Sequence, residues 1–329
     1  MKLAFLSFTE KGSALAATLA QALGGTVARC GKPESLAQWT EKRFTDAEGL
    51  VFVGAVGIAV RAIAPFIGNK WTDPAVVAVD ECAKFAIPLL SGHLGGANSL
   101  ARAISQVCGA QAVITTATDV NGVFAVDEWA RRQGLKVMDP QHIKVVSGNL
   151  LAGKKVTVYS SYPVEGVSPQ GVELVGIPPA HVAVSVEKED CLLPLVPRIL
   201  VLGVGCRKGT PQTVLEEMLE RFLEKNRLWM EAICAVATID LKKEEPGLLA
   251  FCRSHGWELY TCTGEELEKV PGEFTSSDFV RQITGVDNVC ERSAVAVSGG
   301  SLVARKFATE GVTMAAAVKS FRLDWRWDR

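Results

Sequence analysis

Residues 87–105 read IPLLSGHLGGANSLARAIS, and this stretch changes character twice. Ile87 to Leu90 is a short apolar run. Ser91-Gly92-His93-Leu94-Gly95-Gly96 then breaks it, and Leu100 and Ile104 follow on one face at helical spacing. A strand, a glycine loop and a helix in that order make one βα unit. The same rhythm runs from Met1 to about Val186. KLAFLSF, GTVARC, GLVFVG, AVVAVD, FAIPLL, AVITTA, LKVMD and KVTVYS read as strands, and KGSALAATLAQALGG, GIAVRAIAPFI and GGANSLARAISQVCG as crossover helices. The expected fold class is α/β, with parallel-sheet βα units in the N-terminal portion.

Residues 187–198, EKEDCLLPLVPR, combine a charged run with two prolines and read as a linker. A new unit then opens with ILVLGVGCRKGTPQTVLEEMLERFLEKN, a buried strand, a glycine-rich loop and a long amphipathic helix starting near Thr210-Pro211. SLVARKFATEGVTMAAAVK reads as two strands turning at Thr309-Glu310-Gly311. The expected domains are 1–134, an N-terminal α/β domain; 135–198, a middle region and linker; and 199–329, a smaller α/β C-terminal domain.

Composition narrows the function classes. The 329 residues are 48% hydrophobic, enough for a large core, and 35 Lys plus Arg stand against 36 Asp plus Glu. No net field then favours nucleic acid or an anionic membrane. The opening MKLAFLSFTEKG carries too short an apolar run for a signal segment or a membrane span, so a cytoplasmic protein is expected. Nine scattered cysteines fit reduced thiols. Cys252, His255 and Cys262 come nearest to metal-ligand spacing, but without a CxxC or HxxxH no metal site is expected.

Three loops share the strand, glycine, helix design: VFVGAVGIAVRAI, PLLSGHLGGAN and LVLGVGCRKGTPQ. Glycines there allow close backbone approach, and a helix start offers free N–H groups to an anion. Neither GAVGIA nor GVGCRKG fits the dinucleotide fingerprint, and neither fits a Walker A loop. Carboxylates are the better ligand. His93 is a candidate base or proton shuttle, and Ser91 would join it only if its hydroxyl faced the imidazole. The N–H groups of Gly95 and Gly96 are candidate oxyanion donors. Gly54, Gly57, Arg61, Lys70, Asp73, Asn98, Asp119, Cys206, Arg207 and Lys208 complete the candidate substrate-binding set. Each cation there could grip a carboxylate. The bland reading of each is a solvated charge, a turn former or a packed small residue.

GAVGIAVRAIAPFIGNKWTDPAVVAVDE, IPLLSGHLGGANSLA, LVLGVGCRKGT and ITGVDNVCERSAVAVSGGSLVARKFATEGVTMAAAV together closely resemble the cobalt-precorrin-5A hydrolase (CbiG) family, with a CobE-type C-terminal region. The resemblance implies a hydrolase of anaerobic cobalamin biosynthesis. Its substrate would be a cobalt-bearing tetrapyrrole whose δ-lactone is opened with loss of acetaldehyde, giving cobalt-precorrin-5B. The cobalt would belong to the substrate, so no cofactor is expected. Expected partners are this tetrapyrrole, a second copy in a homodimer and, transiently, other enzymes of the pathway. The substrate would lie in a cleft between the first and last domains. The alternative is a non-catalytic carrier of tetrapyrrole intermediates.

Overall fold

A computed structural model describes residues 1–31, 33–69, 72–93 and 95–327, with the backbone alone at Phe279. The first sheet contains β1 (Leu3–Ser7), β2 (Thr26–Arg29), β3 (Gly49–Val53), β4 (Ala75–Val79), β5 (Phe85–Leu90) and β6 (Gln111–Ala112), in the order β2-β1-β3-β4-β5-β6. Alternate residues divide its two faces, as the pleat requires. Phe5, Val51, Val53, Val77 and Val79 pack on α1 (Glu10–Leu23). Leu6, Leu50, Phe52 and Val76 cluster on the other face with Trp39 of α2 (Leu36–Asp46) and Ile63 of α3 (Val56–Ile63). Leu100 and Ile104 of α4 (Ala97–Cys108) join the α1 side, as their spacing predicts.

In this sheet β5 and β6 break the expected parallel pattern. β4 and β5 pair antiparallel, joined by a tight turn in which Asp80 accepts from the backbone N–H groups of Cys82, Lys84 and Phe85 at 2.7–2.9 Å. Because β5 runs backwards, the Ser91 loop emerges beside the start of β4. It therefore lies at the opposite end of the strands from the Gly54 loop, which follows the end of the parallel strand β3.

After the short α5 (Ala117–Val120), the second unit opens with α6 (Val126–Arg132). Its sheet contains β7 (Leu135–Val137), β8 (Val156–Ser160), β10 (Val172–Val175), β11 (Ala180–Val184) and β12 (Cys191–Pro197), in the order β10-β8-β11-β12-β7. β9 (Val164–Glu165) lies outside it, and α7 (Ile143–Leu151) packs on the core. Two expectations fail here. Residues 187–198 are no free linker, because β12 is an inner strand with Leu193, Leu195 and Val196 fully buried. Pro194 lacks a donor, yet its carbonyl still accepts from Met138 N at 3.1 Å. A boundary at 134 also cuts through one core, since Phe124, Val126 and Trp129 pack with β8, β11 and β12.

The third sheet orders β13 (Leu200–Cys206), β14 (Ile233–Ile239), β15 (Glu258–Cys262), β16 (Ser301–Thr309) and β17 (Val312–Val318) as β15-β14-β13-β17-β16. α8 (Gln212–Lys225) and α9 (Pro246–His255) bury Leu219, Phe222 and Phe251 against it. α10 (Gly264–Glu268) and α11 (Asp278–Thr284) precede α12 (Cys290–Ser298), which packs on β13 and β17. Gly203 and Gly205 of the GVG motif lie inside β13 and are not part of an anion loop. A Cβ on Gly203 would stand 1.8 Å from the carbonyl oxygen of Cys290. Gly203→Ala should therefore destabilise the chain by at least ~1–3 kcal/mol, the usual cost of overpacking, read as a lower thermal unfolding midpoint.

The tail then leaves this unit. β18 (Leu323–Asp324) pairs with β9, and Leu323 and Trp325 enter the core of the second unit. Trp325 stacks on Trp129 with ring centroids 5.3 Å apart, and Trp129 Nε1 donates to the Asp324 carbonyl at 2.6 Å.

Candidate functional site

The loop after β5 is held from within. Gly96, at φ +86°, starts α4 and donates its N–H to the carbonyl of His93 at 2.8 Å. Ala97 N–H and Asn98 N–H donate to the carbonyls of Ser91 and Gly92. The N–H expected at Gly96 as an oxyanion donor is thus spent inside the loop. Gly95 is needed for packing, since a Cβ there would lie 2.3 Å from Ser91 Cβ. Ser91 itself has φ +57° and donates its hydroxyl to the carbonyl of Asp73 at 2.9 Å. That bond turns it away from a role as a nucleophile beside His93.

His93 is instead clamped by two carboxylates. Nε2 lies 2.8 Å from Asp119 Oδ2 and Nδ1 lies 3.1 Å from Asp127 Oδ2, with Thr118 Oγ1 3.3 Å from Nε2. Burial opposes the charge on the imidazole, but hydrogen bonds to both aspartates and their charges outweigh it and raise its pKa to about 10. Burial also works against Asp119 as an anion, and its bonds to His93 and Arg102 win, lowering its pKa to about 2. Asp119 further accepts from Asn98 Nδ2 at 3.0 Å and Arg102 at 2.6 Å. At neutral pH, then, the centre is an imidazolium between two carboxylates. His93 is not a free base there.

A pocket of about 200 Å³ opens on this cluster, its lining including His93, Asn98, Arg102, Thr118, Asp119 and Glu128 together with Val123, Ala125 and Trp327. His93, Asn98 and Asp119 are thus brought together. The other candidates lie elsewhere. Gly54 packs against Phe8, and Gly57 has nothing within 4 Å of where a Cβ would be. Arg61 is exposed near the end of α3. Asp73 is buried and accepts from Gly68 and Asn69 N–H at 3.1 Å, which makes it a turn former. Lys70 lies outside the described residues. Arg207 and Lys208 are exposed in the third unit, Arg207 against Gly311, and contribute nothing to the pocket lining. Burial pushes the Cys206 thiol up and disfavours a thiolate. The expected cleft joining the Ser91 and Cys206 loops is replaced by a pocket between the first unit, the second unit and the tail.

Sequence reasoning missed Arg102, Thr118, Asp127, Glu128 and Trp327. Arg102 was within reach, since it sits one helical turn after Asn98 on the same face of α4. Asp127 was not, because its approach to His93 depends on how the second unit docks. Elsewhere, His255 pairs with Glu216 at 2.7 Å and stacks on Trp257. Among the described residues, no group of three or more His, Cys, Asp and Glu is arranged to hold a metal ion.

Three family models match in succession: "Cobalamin synthesis G N-terminal" over residues 38–119, "Cobalamin biosynthesis central region" over 124–197, and "Cobalamin synthesis G C-terminus" over 200–317. The chain is 36% identical over 299 residues to a cobalt-precorrin-5A hydrolase of Salmonella typhimurium, covering 86% of this chain and 85% of that one. It is 31% identical to a cobalt-precorrin-5A hydrolase of Priestia megaterium, covering 83% and 79%. A crystal structure of a cobalamin biosynthesis protein G homologue from Sulfolobus solfataricus aligns with a TM-score of 0.41 and 22% identity, covering 96% of this chain and 97% of that one.

Proposed function

Because the chain belongs to the cobalt-precorrin-5A hydrolase (CbiG) family, we infer that it is the hydrolase of cobalamin biosynthesis that opens the δ-lactone of cobalt-precorrin-5A and releases acetaldehyde. The observation that carries this reading is the 36% identity over 85% of the Salmonella typhimurium relative. The site supplies a chemistry that suits it.

In lactone opening, water adds to the carbonyl carbon and the acyl C–O bond breaks. Its electron pair stays on the oxygen of the extruded carbon. The His93 imidazolium can share the N–H it gives Asp119, a neighbour in the same pocket lining, with that alkoxide and stabilise it as it forms, while its other N–H stays on Asp127. The alkoxide then collapses to a carbonyl, and the carbon–carbon bond to the macrocycle breaks with its pair left on the conjugated ring. A proton taken up there balances the one released by water, and acetaldehyde departs. In this scheme His93 acts as a donor in both steps.

Arg102, in the pocket lining, is a second cation beside His93 and can pair with a carboxylate of the substrate. Cobalt enters with the substrate, and no resident metal or cofactor takes part. Nine unpaired thiols support a cytoplasmic setting, and among the described residues no helix is long and apolar enough to cross a membrane. The test is direct. Purified chain incubated anaerobically with cobalt-precorrin-5A should release one equivalent of acetaldehyde per lactone opened. Tight binding of the tetrapyrrole without acetaldehyde would mark a carrier instead.

A further inference from the structure

The lining of the pocket at His93 mixes two kinds of group: polar His93, Asn98, Arg102, Thr118, Asp119 and Glu128, and apolar Val123, Ala125 and Trp327. The apolar three are linked through Phe124, which lies between Val123 and Ala125 in the chain and meets the Trp327 ring. Trp327 is the one aromatic side chain in that lining among the described residues, and it reaches the pocket from the far end of the chain. Its position is built. Leu323 N–H donates to the Pro163 carbonyl at 3.0 Å. Gln133 Nε2 donates to Asp324 Oδ1 at 3.1 Å, and Asp324 N–H donates back to Gln133 Oε1 at 3.3 Å. Trp325 stacks on Trp129, and Trp327 then meets Phe124 edge-on with ring centroids 5.3 Å apart. Part of the Trp327 indole stays uncovered.

A pocket of about 200 Å³ is smaller than the ~300–1,000 Å³ sites that enclose whole ligands, so it admits one peripheral group of a macrocycle and not the macrocycle itself. On the function inferred above, which this argument rests on, the group entering is the lactone ring. Acetaldehyde is a methyl group on a carbonyl carbon, so the extruded carbon carries that methyl. The ring is therefore polar at its C–O bonds and apolar at one substituent.

We propose that Trp327, with Val123 and Ala125, is the seat for the methyl-bearing carbon of the lactone, which turns the lactone oxygens toward His93 and Arg102. The tail of the third unit thereby supplies a substrate-binding residue to a site whose polar groups come from the first two units. Trp327 sets affinity and orientation and moves no proton.

The experiment compares wild type, Trp327→Ala, Trp327→Phe and Val123→Thr in the full chain, measuring kcat and KM for acetaldehyde release together with thermal unfolding. Trp327→Ala should raise KM on the order of 10-fold with kcat within about 3-fold, and Trp327→Phe should recover most of the loss. Val123→Thr keeps the shape of the wall but adds a hydroxyl, so it reads the same surface even if Trp327→Ala folds poorly. It should raise KM by a few-fold without moving the pH profile that His93 sets. Unchanged KM in folded Trp327→Ala and in Val123→Thr, with wild type active, would overturn the proposal. Failure of the wild type to release acetaldehyde would instead overturn the function on which it rests.

Discussion

His93→Ala should cut acetaldehyde formation on the order of 10²-fold or more while substrate still binds, a loss of about 2.7 kcal/mol or more in transition-state stabilisation. The reasoning is geometric. The imidazole lies between Asp119 and Asp127 with both ring nitrogens in use, so it enters the reaction already charged. Removing it takes away the one positive donor that the two aspartates hold in place. The variant also leaves those carboxylates unequal. Asp119 retains Arg102 and Asn98, whereas Asp127 keeps the N–H of Glu128. Some stability is therefore lost, and a thermal unfolding curve has to accompany the kinetics. His93→Gln, which can still donate to one aspartate, should unfold at a higher temperature than His93→Ala and be as inactive. Turnover at the wild-type rate in a folded His93→Ala would reduce His93 to a loop-fixing residue.

Asp119→Asn should act through pH. Raised from 6.5 to about 10, the His93 pKa gives two consequences of one sign. The stability contributed by its ion pairs is fully present below about pH 6.5 and is lost as pH rises through about 10. Activity that needs the imidazolium falls over the same alkaline range. Replacing Asp119 removes one of the two charges facing the ring, leaving Asp127 as the charged partner, with Glu128 and Arg102 elsewhere in the lining. The alkaline limb of kcat/KM should then shift down by roughly 1–2 pH units, the scale of one adjacent opposite charge. Near pH 10 the variant should run roughly 5- to 50-fold below wild type, with the gap closing to within about 2-fold at pH 8. A pH profile that superimposes on wild type would show that Asp119 does not set the charge of His93. Proton NMR titration of the His93 ring reads the same shift without turnover.

Much of the fold was legible because its signals are local. The near-continuous apolar runs of Leu3–Ser7 and Gly49–Val53, the helical spacing of Leu100 and Ile104, and the turn at Thr309-Glu310-Gly311 each lie within one element or one turn. The failures depend on long-range packing. Cys191–Pro197 looks like a linker because its two prolines and the preceding charges are poor strand signals, and burial between β11 and β7 overrides them. The reversal of β5 was hidden as well, because FAIPLL looks the same in either direction. That reversal placed the Gly54 and Ser91 loops at opposite ends of the strands, so the carboxylate-binding set could not form as one crevice. The site was half visible: His93, Asn98 and Asp119 stood out, but Asp127 and Trp327 arrive from other units, 34 and 234 positions after His93.

The tail that stacks Trp325 on Trp129 also fixes an order of events during synthesis. The first sheet is complete once its β6 residues have been made, and it can close on α1 and α4 early. The second unit cannot. Its core includes Leu323 and Trp325, so after β12 leaves the ribosome more than one hundred further residues must be made before that core is full. At ~5–20 residues per second this is a wait of roughly ten seconds. Throughout it, Trp129 and Phe124 lack the indole that will cover them, and the His93 pocket lacks one wall. The half-made chain thus has the imidazolium clamp within reach but no finished site, and it becomes competent to hold substrate only when its last segment folds back onto its middle.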